Sequence, residues 1–129
     1  MKNKKLIRVY LASPYSHEDV GVVEARYERA VLATAWLQAA HPTTNIFSPI
    51  VHSHPLVKLG GLRGDWKFWR DIDTDYIKNS HELWVLQIPG WQHSVGVTEE
   101  IAIARKLRHR IKYVKKFGRE YILSIGPWA

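Results

Sequence analysis

Short apolar segments alternate with amphipathic segments along this chain, and that alternation constrains the fold more than any other feature. Continuous or alternating apolar residues predict strands, whereas apolar residues at intervals of three and four predict helices. Strand and helix patterns that take turns are typical of a parallel, doubly wound sheet with right-handed crossovers. The predicted strands are residues 6–12, 44–50, 82–88, 111–114 and 121–125, and the predicted helices are residues 20–40, 66–79 and 95–108.

The length of the chain predicts one domain. It has 129 residues without an internal repeat or a Ser/Gly-rich linker, so we expect a single α/β domain over residues 1–129. Residues 52–64 hold three of the eight glycines, and we expect them to form a loop. Asp65 follows this segment and is the expected N-cap of the second helix.

The composition restricts the chemistry and the surroundings of the protein. It contains no cysteine, which excludes disulfides, thiolate zinc sites, iron–sulfur clusters and a cysteine nucleophile. Apolar runs such as residues 83–86 are far shorter than a membrane span, and the basic N-terminal segment lacks the apolar stretch of a signal peptide. We therefore expect a cytoplasmic protein with no membrane partner.

The net charge favours an anionic partner. Nineteen Lys and Arg residues against twelve Asp and Glu residues give +7, which suits a nucleotide, a nucleic acid or an acidic surface. The densest basic segment, residues 104–116, straddles a predicted helix end, where cations also favour the terminal carbonyl groups. It carries no nucleic-acid-binding signature. We interpret it as a solvated face and do not expect nucleic acid as the partner.

The predicted topology indicates where a ligand binds. In doubly wound sheets, ligands bind beyond the carboxyl ends of the strands. The segments that leave those ends are residues 13–17, 48–54 and 89–100, so we expect the site among them. In the third segment, Gly96 allows close approach of the backbone, and Ser94 offers a hydroxyl beside helix N–H groups that attract anions.

Carboxylates close to these segments are candidates for acid–base or nucleophilic chemistry. Glu99 and Glu100 point about 100° apart on a helix, so at most one of them faces the cleft. Glu100 is the candidate, with the alternative that both acids only complement the helix N-terminus. Asp71, Asp73 and Asp75 turn to different sides of the second helix, so they do not all serve one site.

Three of the histidines in the expected site segments are candidates for metal or ligand binding. His52 and His54 share one face if their segment is extended, and His93 lies in the third segment. Two histidines and a carboxylate are able to hold zinc or iron, but nothing in this spacing requires a metal. We expect these histidines to be polar loop residues or hydrogen-bond partners of a ligand, and we expect no metal.

Three segments, in the right order, resemble the nucleoside 2-deoxyribosyltransferase-like superfamily, which includes the 2'-deoxynucleoside 5'-phosphate N-hydrolases. VYLASPYSH (residues 9–17) resembles its first strand and loop, and DTDYIKNSHELWVL (residues 73–86) resembles its segment with an Asp before the central strand. SVGVTEEIAIA (residues 94–104) is similar to its Gly-x-x-x-Glu helix start. The resemblance covers about residues 9–113 and implies a flavodoxin-like, mostly parallel sheet of about five strands.

The resemblance implies catalytic roles for three residues. Glu100 matches the nucleophile, because it follows Gly96 by four residues. Asp73 matches the acid that handles the leaving base, and Tyr10 matches the tyrosine near the sugar and the nucleophile. We expect Glu100, near a helix N-terminus, to stay ionised, and Asp73 to be kept protonated by burial or by the first carboxylate.

The resemblance also implies substrate-binding residues. Ser94 matches a serine that contacts the 5'-phosphate in the nucleotide hydrolases, and Ser13 lies where the first loop approaches that phosphate. Trp91 or Trp66 is expected to stack on the base, with core packing as the alternative. The expected substrate-binding residues are Ser13, Ser94, Gly96, His54 and Trp91.

The function that the resemblance implies is hydrolysis of the N-glycosidic bond of a (deoxy)nucleoside 5'-monophosphate, with release of the free base and no cofactor. The alternatives are base exchange between nucleosides by a 2-deoxyribosyltransferase, a non-catalytic nucleotide-binding module on the same fold, and a nucleic-acid-binding protein that uses residues 105–116. Because members of this superfamily commonly assemble, we also expect a homodimer or a higher homo-oligomer.

Overall fold

A five-stranded sheet forms the centre of the computed structural model, which describes residues 5–129. The order of the strands across the sheet is β2-β1-β3-β4-β5. Strands β1 to β4 are parallel to one another, and β5 is antiparallel to β4. The strands are β1 (Ile7–Ala12), β2 (Thr44–Phe47), β3 (Glu82–Leu86), β4 (Arg110–Phe117) and β5 (Glu120–Ser124).

The sheet is mixed, and the reason is the short connection before its last strand. Only Gly118 and Arg119 separate β4 from β5, and Gly118 has the positive φ of 61° that a tight turn requires. A parallel pair needs a crossover of a dozen or more residues, so two residues permit only a hairpin. The α/β domain with five strands is confirmed, whereas a cleanly parallel doubly wound sheet is not formed.

Within residues 5–129, four α-helices flank the sheet, and one of them was not predicted. The segment 52–64 was predicted to be a loop because of its glycines and Pro55, but most of it belongs to a helix. Ser48 caps that helix by accepting from the Val51 N–H, and Pro49 occupies its first turn, where no N–H is needed. The second strand therefore ends at Phe47. The helices are α1 (Val20–Ala40), α2 (Pro49–Lys58), α3 (Trp66–Lys78) and α4 (Val95–Lys106).

Alternate residues of β1 enter two separate cores, one on each face of the sheet. Val9 and Leu11 pack with residues of α1 such as Leu37. Tyr10 and Ala12 point to the opposite face, where α3 and α4 cover the sheet. This alternation directs the Tyr10 side chain toward the two helices that carry Asp73 and Glu100. Within residues 5–129, none of the helices has the length and hydropathy needed to cross a membrane.

Candidate active site

A cavity of about 800 Å³ opens at the carboxyl ends of the parallel strands. All three segments expected to form the site contribute to its wall: Ser13 follows β1, Ser53 lies on α2, and Ser94 precedes α4. Helix α3 closes another side with Asp73 and Trp66. The volume is within the range of small-molecule sites, about 300–1,000 Å³.

Glu100 lies at the buried end of this cavity. Its neighbour Glu99 is exposed, whereas Glu100 is 4% exposed, as the angle between successive helix residues requires. The Tyr10 hydroxyl, itself fully buried, donates a hydrogen bond to Oε2 of Glu100. The strand therefore fixes the orientation of a carboxyl group that is supplied by the helix.

Asp73 joins the same buried cluster from helix α3. It is four residues from both Trp69 and Ile77, and these three side chains form the buried face of the helix. Asp71 and Asp75 are exposed, so only one of the three aspartates reaches the site. Asp73 interacts with the hydroxyl of Tyr10. Tyr10 therefore connects two carboxyl groups that are 27 positions apart in the sequence.

Burial shifts the proton equilibria of this cluster upward. Desolvation raises the pKa of Asp73 from 3.8 to about 7, against a smaller lowering by its hydrogen bond with Tyr10. Desolvation also raises the pKa of Glu100 well above its ordinary value, opposed by the Tyr10 hydrogen bond and reinforced by the charge of Asp73. The pKa of Tyr10 is raised by burial and by both acids, so Tyr10 keeps its proton at neutral pH.

The expectation that the helix N-terminus keeps Glu100 ionised is therefore not supported. Glu100 is the sixth residue of α4, and the helix dipole acts mainly within the first turn. What favours the carboxylate form is the hydrogen bond from Tyr10. A tyrosine hydroxyl has one hydrogen to donate. When Tyr10 donates it to the Glu100 carboxylate, the Tyr10 oxygen is still able to accept a hydrogen bond from protonated Asp73. The hydrogen bond from Tyr10 favours Asp73 as the site of a proton shared by the two acids, whereas the deeper burial of Glu100 favours protonated Glu100.

The opposite part of the cavity presents donors without acceptors. Among the described residues, Oγ of Ser13 and Nε of Arg26 are buried and have no hydrogen-bond partner. Both residues line the cavity. Arg26 is held by its Nη1, which donates to the carbonyl oxygen of Ser16 at 2.7 Å. Burial lowers the pKa of Arg26, but a guanidinium remains charged at neutral pH. A half-buried cation with one unpaired N–H and a free hydroxyl together suit an anionic ligand.

Gly90 is the glycine that this arrangement requires. It has a φ of 92°, and a Cβ added there would lie 2.5 Å from Nη2 of Arg26. A Cβ at Gly96 would make only ordinary contacts, 3.7 Å from Trp66 and 3.9 Å from Oγ of Ser94. Gly96 lines the cavity, as does Ser94, whose side chain caps α4 by accepting from the Val97 N–H at 3.2 Å. A side chain at position 90 would therefore displace Arg26, whereas one at position 96 would make only ordinary contacts.

Two expected substrate-binding residues do not line the cavity. Trp91 is half-buried and packs against Tyr113 beneath the sheet, with ring centroids 5.9 Å apart, and it is not part of the cavity wall. Trp66 and Trp69 line the cavity in its place. His54 is buried behind the wall, where it contacts Tyr15 and Glu24.

The sequence analysis missed Arg26 and Trp69 as site residues. Arg26 is on the long helix α1, and its spacing does not distinguish it from solvated cations on that helix. Trp69 had a usable signal, because it is four residues before Asp73 on the same helix face. Among the described residues, no cluster of three or more His, Asp or Glu side chains is arranged to hold a metal ion.

Fold and site together define an α/β protein in which two buried carboxyl groups and an arginine, whose Nε has no partner among the described residues, surround one cavity. The chain belongs to the family described as Domain of unknown function (DUF1937), whose sequence profile matches residues 7–116. That match runs from the first strand into the fourth, so it includes every residue of the candidate site. No curated protein matches the chain.

The raised pKa of Asp73 has a consequence for stability. A carboxyl group whose folded pKa exceeds its unfolded value stabilises the fold below the unfolded pKa, and this stability is lost as the pH rises through about 7. Asp73→Asn removes that loss, so we expect a higher free energy of unfolding at pH 8, by at most about 4 kcal/mol, and little change at pH 4. Urea denaturation at the two pH values measures this, with the exposed Asp75→Asn as the matched control. A lower stability of Asp73→Asn at pH 8 would contradict the assignment.

Proposed function

We propose that this domain hydrolyses the N-glycosidic bond of a (deoxy)nucleoside 5'-monophosphate and releases the free base. The observation that carries the proposal is the buried cluster in which Tyr10 connects Glu100 with Asp73. It supplies one carboxylate and one carboxylic acid, the pair that cleavage of a glycosidic bond requires. The strand order β2-β1-β3-β4-β5 supports a flavodoxin-like topology with a ligand site at the carboxyl ends of the strands.

In the first step, a carboxylate oxygen of Glu100 bonds to C1' of the sugar while the bond from C1' to the base nitrogen breaks. The electron pair of that bond goes to the base, which takes a proton from Asp73. Tyr10 holds the Glu100 carboxylate in place by its hydrogen bond. Because the cluster is buried, the positive charge that develops at C1' interacts with Glu100 with little screening by water.

In the second step, water attacks C1' of the glycosyl ester. Asp73, now a carboxylate, accepts a proton from this water, and the bond between C1' and the Glu100 oxygen breaks. Glu100 leaves as a carboxylate and Asp73 is again protonated, so the cluster returns to its starting state. The balance is one nucleotide and one water converted to one free base and one sugar phosphate.

The free donors around the cavity suit the 5'-phosphate. Nε of Arg26 and Oγ of Ser13 have no partner among the described residues, and the N-terminus of α4 adds backbone N–H groups. Lys67 also lines the cavity and adds positive charge. A phosphate is able to satisfy several such donors at once because it carries three accepting oxygens. Trp66 and Trp69 provide aromatic surface for the base.

The test of this proposal is incubation with a panel of ribo- and deoxyribonucleoside 5'-monophosphates, followed by chromatography for free base. We expect base release from at least one of them in the absence of any acceptor nucleoside or free base. Release only when an acceptor base is added would instead identify a transferase. Nucleotide binding without release would identify a binding module, and the hydrolase proposal would then be abandoned.

Removal of the free donors should weaken phosphate recognition specifically. For Arg26→Met with Ser13→Ala we expect KM for a cleaved 5'-monophosphate to rise by about 100-fold or more, because a hydrogen-bonded charge pair is lost. For the corresponding nucleoside, which has no phosphate, the KM of the same variant should change little. Steady-state kinetics on the matched nucleotide and nucleoside measure the difference. Equal losses on both ligands would show that these residues do not bind phosphate.

A further inference from the structure

A chain of three polar side chains runs from the cavity wall to the protein surface. Tyr15 lines the cavity, and its hydroxyl lies 2.7 Å from Nδ1 of His54. Nε2 of His54 lies 3.1 Å from Oε1 of Glu24. His54 is buried, and the Tyr27 ring packs on its imidazole with centroids 4.2 Å apart. The reaction proposed above uses none of these four residues.

The surface end of the chain determines the direction of the hydrogen bonds. Lys58 contacts the same oxygen of Glu24 at 3.0 Å, and its hydrogen bond lowers the pKa of Glu24, so this group is a carboxylate. A carboxylate only accepts, which means that Nε2 of His54 carries the hydrogen. When the imidazole carries only that one hydrogen, its other nitrogen is bare, and Nδ1 then accepts from the Tyr15 hydroxyl.

The consequence concerns the cavity end of the chain. The single hydroxyl proton of Tyr15 is committed to His54, so only lone pairs of its oxygen remain for a ligand. Gly64 lies beside the Tyr15 ring, where an added Cβ would be 3.3 Å from Cε2. Tyr15 is thus restricted to one hydrogen-bonding role.

We propose that Tyr15 is a specificity residue that accepts a hydrogen bond from a hydroxyl or amino group of the bound nucleotide, with His54 and Glu24 as positioning residues that prevent it from donating. This assignment rests on the proposed function in one respect: it assumes that the ligand is a nucleotide. It does not depend on cleavage of that nucleotide. A site built to pair with a donor group discriminates against the analogue that lacks it, because the acceptor would stay unpaired.

The experiment measures binding rather than turnover. Calorimetry on a Glu100→Gln background compares pairs of nucleoside 5'-monophosphates that differ in one donor: the 2'-hydroxyl, the 3'-hydroxyl or an amino group of the base. We expect one pair to show tighter binding of the donor-bearing member by about 5–10-fold. Tyr15→Phe should reduce that ratio to about 1. Tyr27→Phe, which keeps the ring on His54, is the matched control and should leave the ratio unchanged.

Two substitutions of His54 test its positioning role. His54→Asn places an amide oxygen near the position of Nδ1 and should retain most of the preference, whereas His54→Leu frees the Tyr15 proton and should abolish or invert it. Thermal unfolding of each variant identifies any that fail to fold, and Tyr15→Phe then carries the test alone.

The proposal is overturned if the affinity preference in every pair survives Tyr15→Phe. It is also overturned if the protein with intact Tyr15 shows no preference within any pair, or binds none of the nucleotides. Base release by the wild-type protein is assayed separately. A Tyr15-dependent preference without base release would refute the hydrolase and leave this assignment standing, and base release without such a preference would do the reverse.

Discussion

Glu100→Gln should abolish base release, with kcat lowered by a factor on the order of 10³ or more. The amide has nearly the same shape as the carboxylate but cannot form a bond to C1', so the first step has no nucleophile. Because phosphate recognition is assigned to Ser13 and Arg26 and not to Glu100, nucleotide affinity should change by less than about 10-fold. Quenched time courses of base release and calorimetric titration measure the two quantities.

Glu99→Gln is the matched control for this variant, because it removes the same charge from the adjacent, exposed position of α4. It should retain wild-type kcat. Tyr10→Phe should lose activity although Glu100 is still present, because the hydrogen bond that orients Glu100 and favours its ionised form is gone. Base release by Glu100→Gln at more than about a tenth of the wild-type rate would rule out nucleophilic catalysis by this residue.

Asp73→Asn should lower kcat by about 10²–10⁴-fold and remove the alkaline limb of the pH profile. In the wild-type protein the acid must be protonated when the base leaves, and burial raises its pKa to about 7. Activity should therefore fall as the pH rises above about 7, because Asp73 loses its proton there. On the acidic limb, activity falls as Glu100 becomes protonated. Because the pKa of Glu100 is raised, this limb should lie at a higher pH than the ordinary pKa of a glutamate. The observed values belong to the coupled pair.

A substrate that needs no protonation separates this role from a structural one. A 7-methylpurine nucleotide carries its positive charge on the base, so the base leaves without a proton from Asp73. On this substrate Asp73→Asn should therefore recover most of the rate of the first step, measured as the pre-steady-state burst of free base, although the second step still lacks its general base. The exposed Asp75→Asn should behave like the wild type on both substrates. An alkaline limb that persists in Asp73→Asn would assign it to another group.

Helix periodicity determines which side of a helix is buried and so favoured Glu100 over Glu99, whereas Asp73 was predicted from the family resemblance and its burial agrees with that periodicity. Asp73 is four residues from Trp69 and Ile77, and Glu100 is four residues from Ala104. That spacing selects one aspartate of three and one glutamate of two. The proton state of Glu100 was not predictable, because it depends on a hydrogen bond from a strand 90 residues away in sequence.

Where the structure differs from the other predictions made from the sequence, the physical causes are identifiable. Pro55 and the glycines near it favour a loop locally, but the Ser48 cap and the burial of Ile50 and His54 stabilise helix α2. Trp91 and Trp69 are equally apolar, and only the packing of the folded chain places the first against Tyr113 and the second at the cavity. Long-range packing of this kind leaves no periodic signal in the sequence.

A crystal structure of the Glu100→Gln variant with a 5'-monophosphate bound tests most directly whether the residue-100 side chain reaches the sugar. We expect C1' to lie about 3–3.5 Å from the side-chain oxygen of residue 100, with the phosphate on Arg26 and Ser13. A nucleotide that binds with its sugar outside the cavity, or with Trp66 or another side chain between C1' and residue 100, would contradict the mechanism.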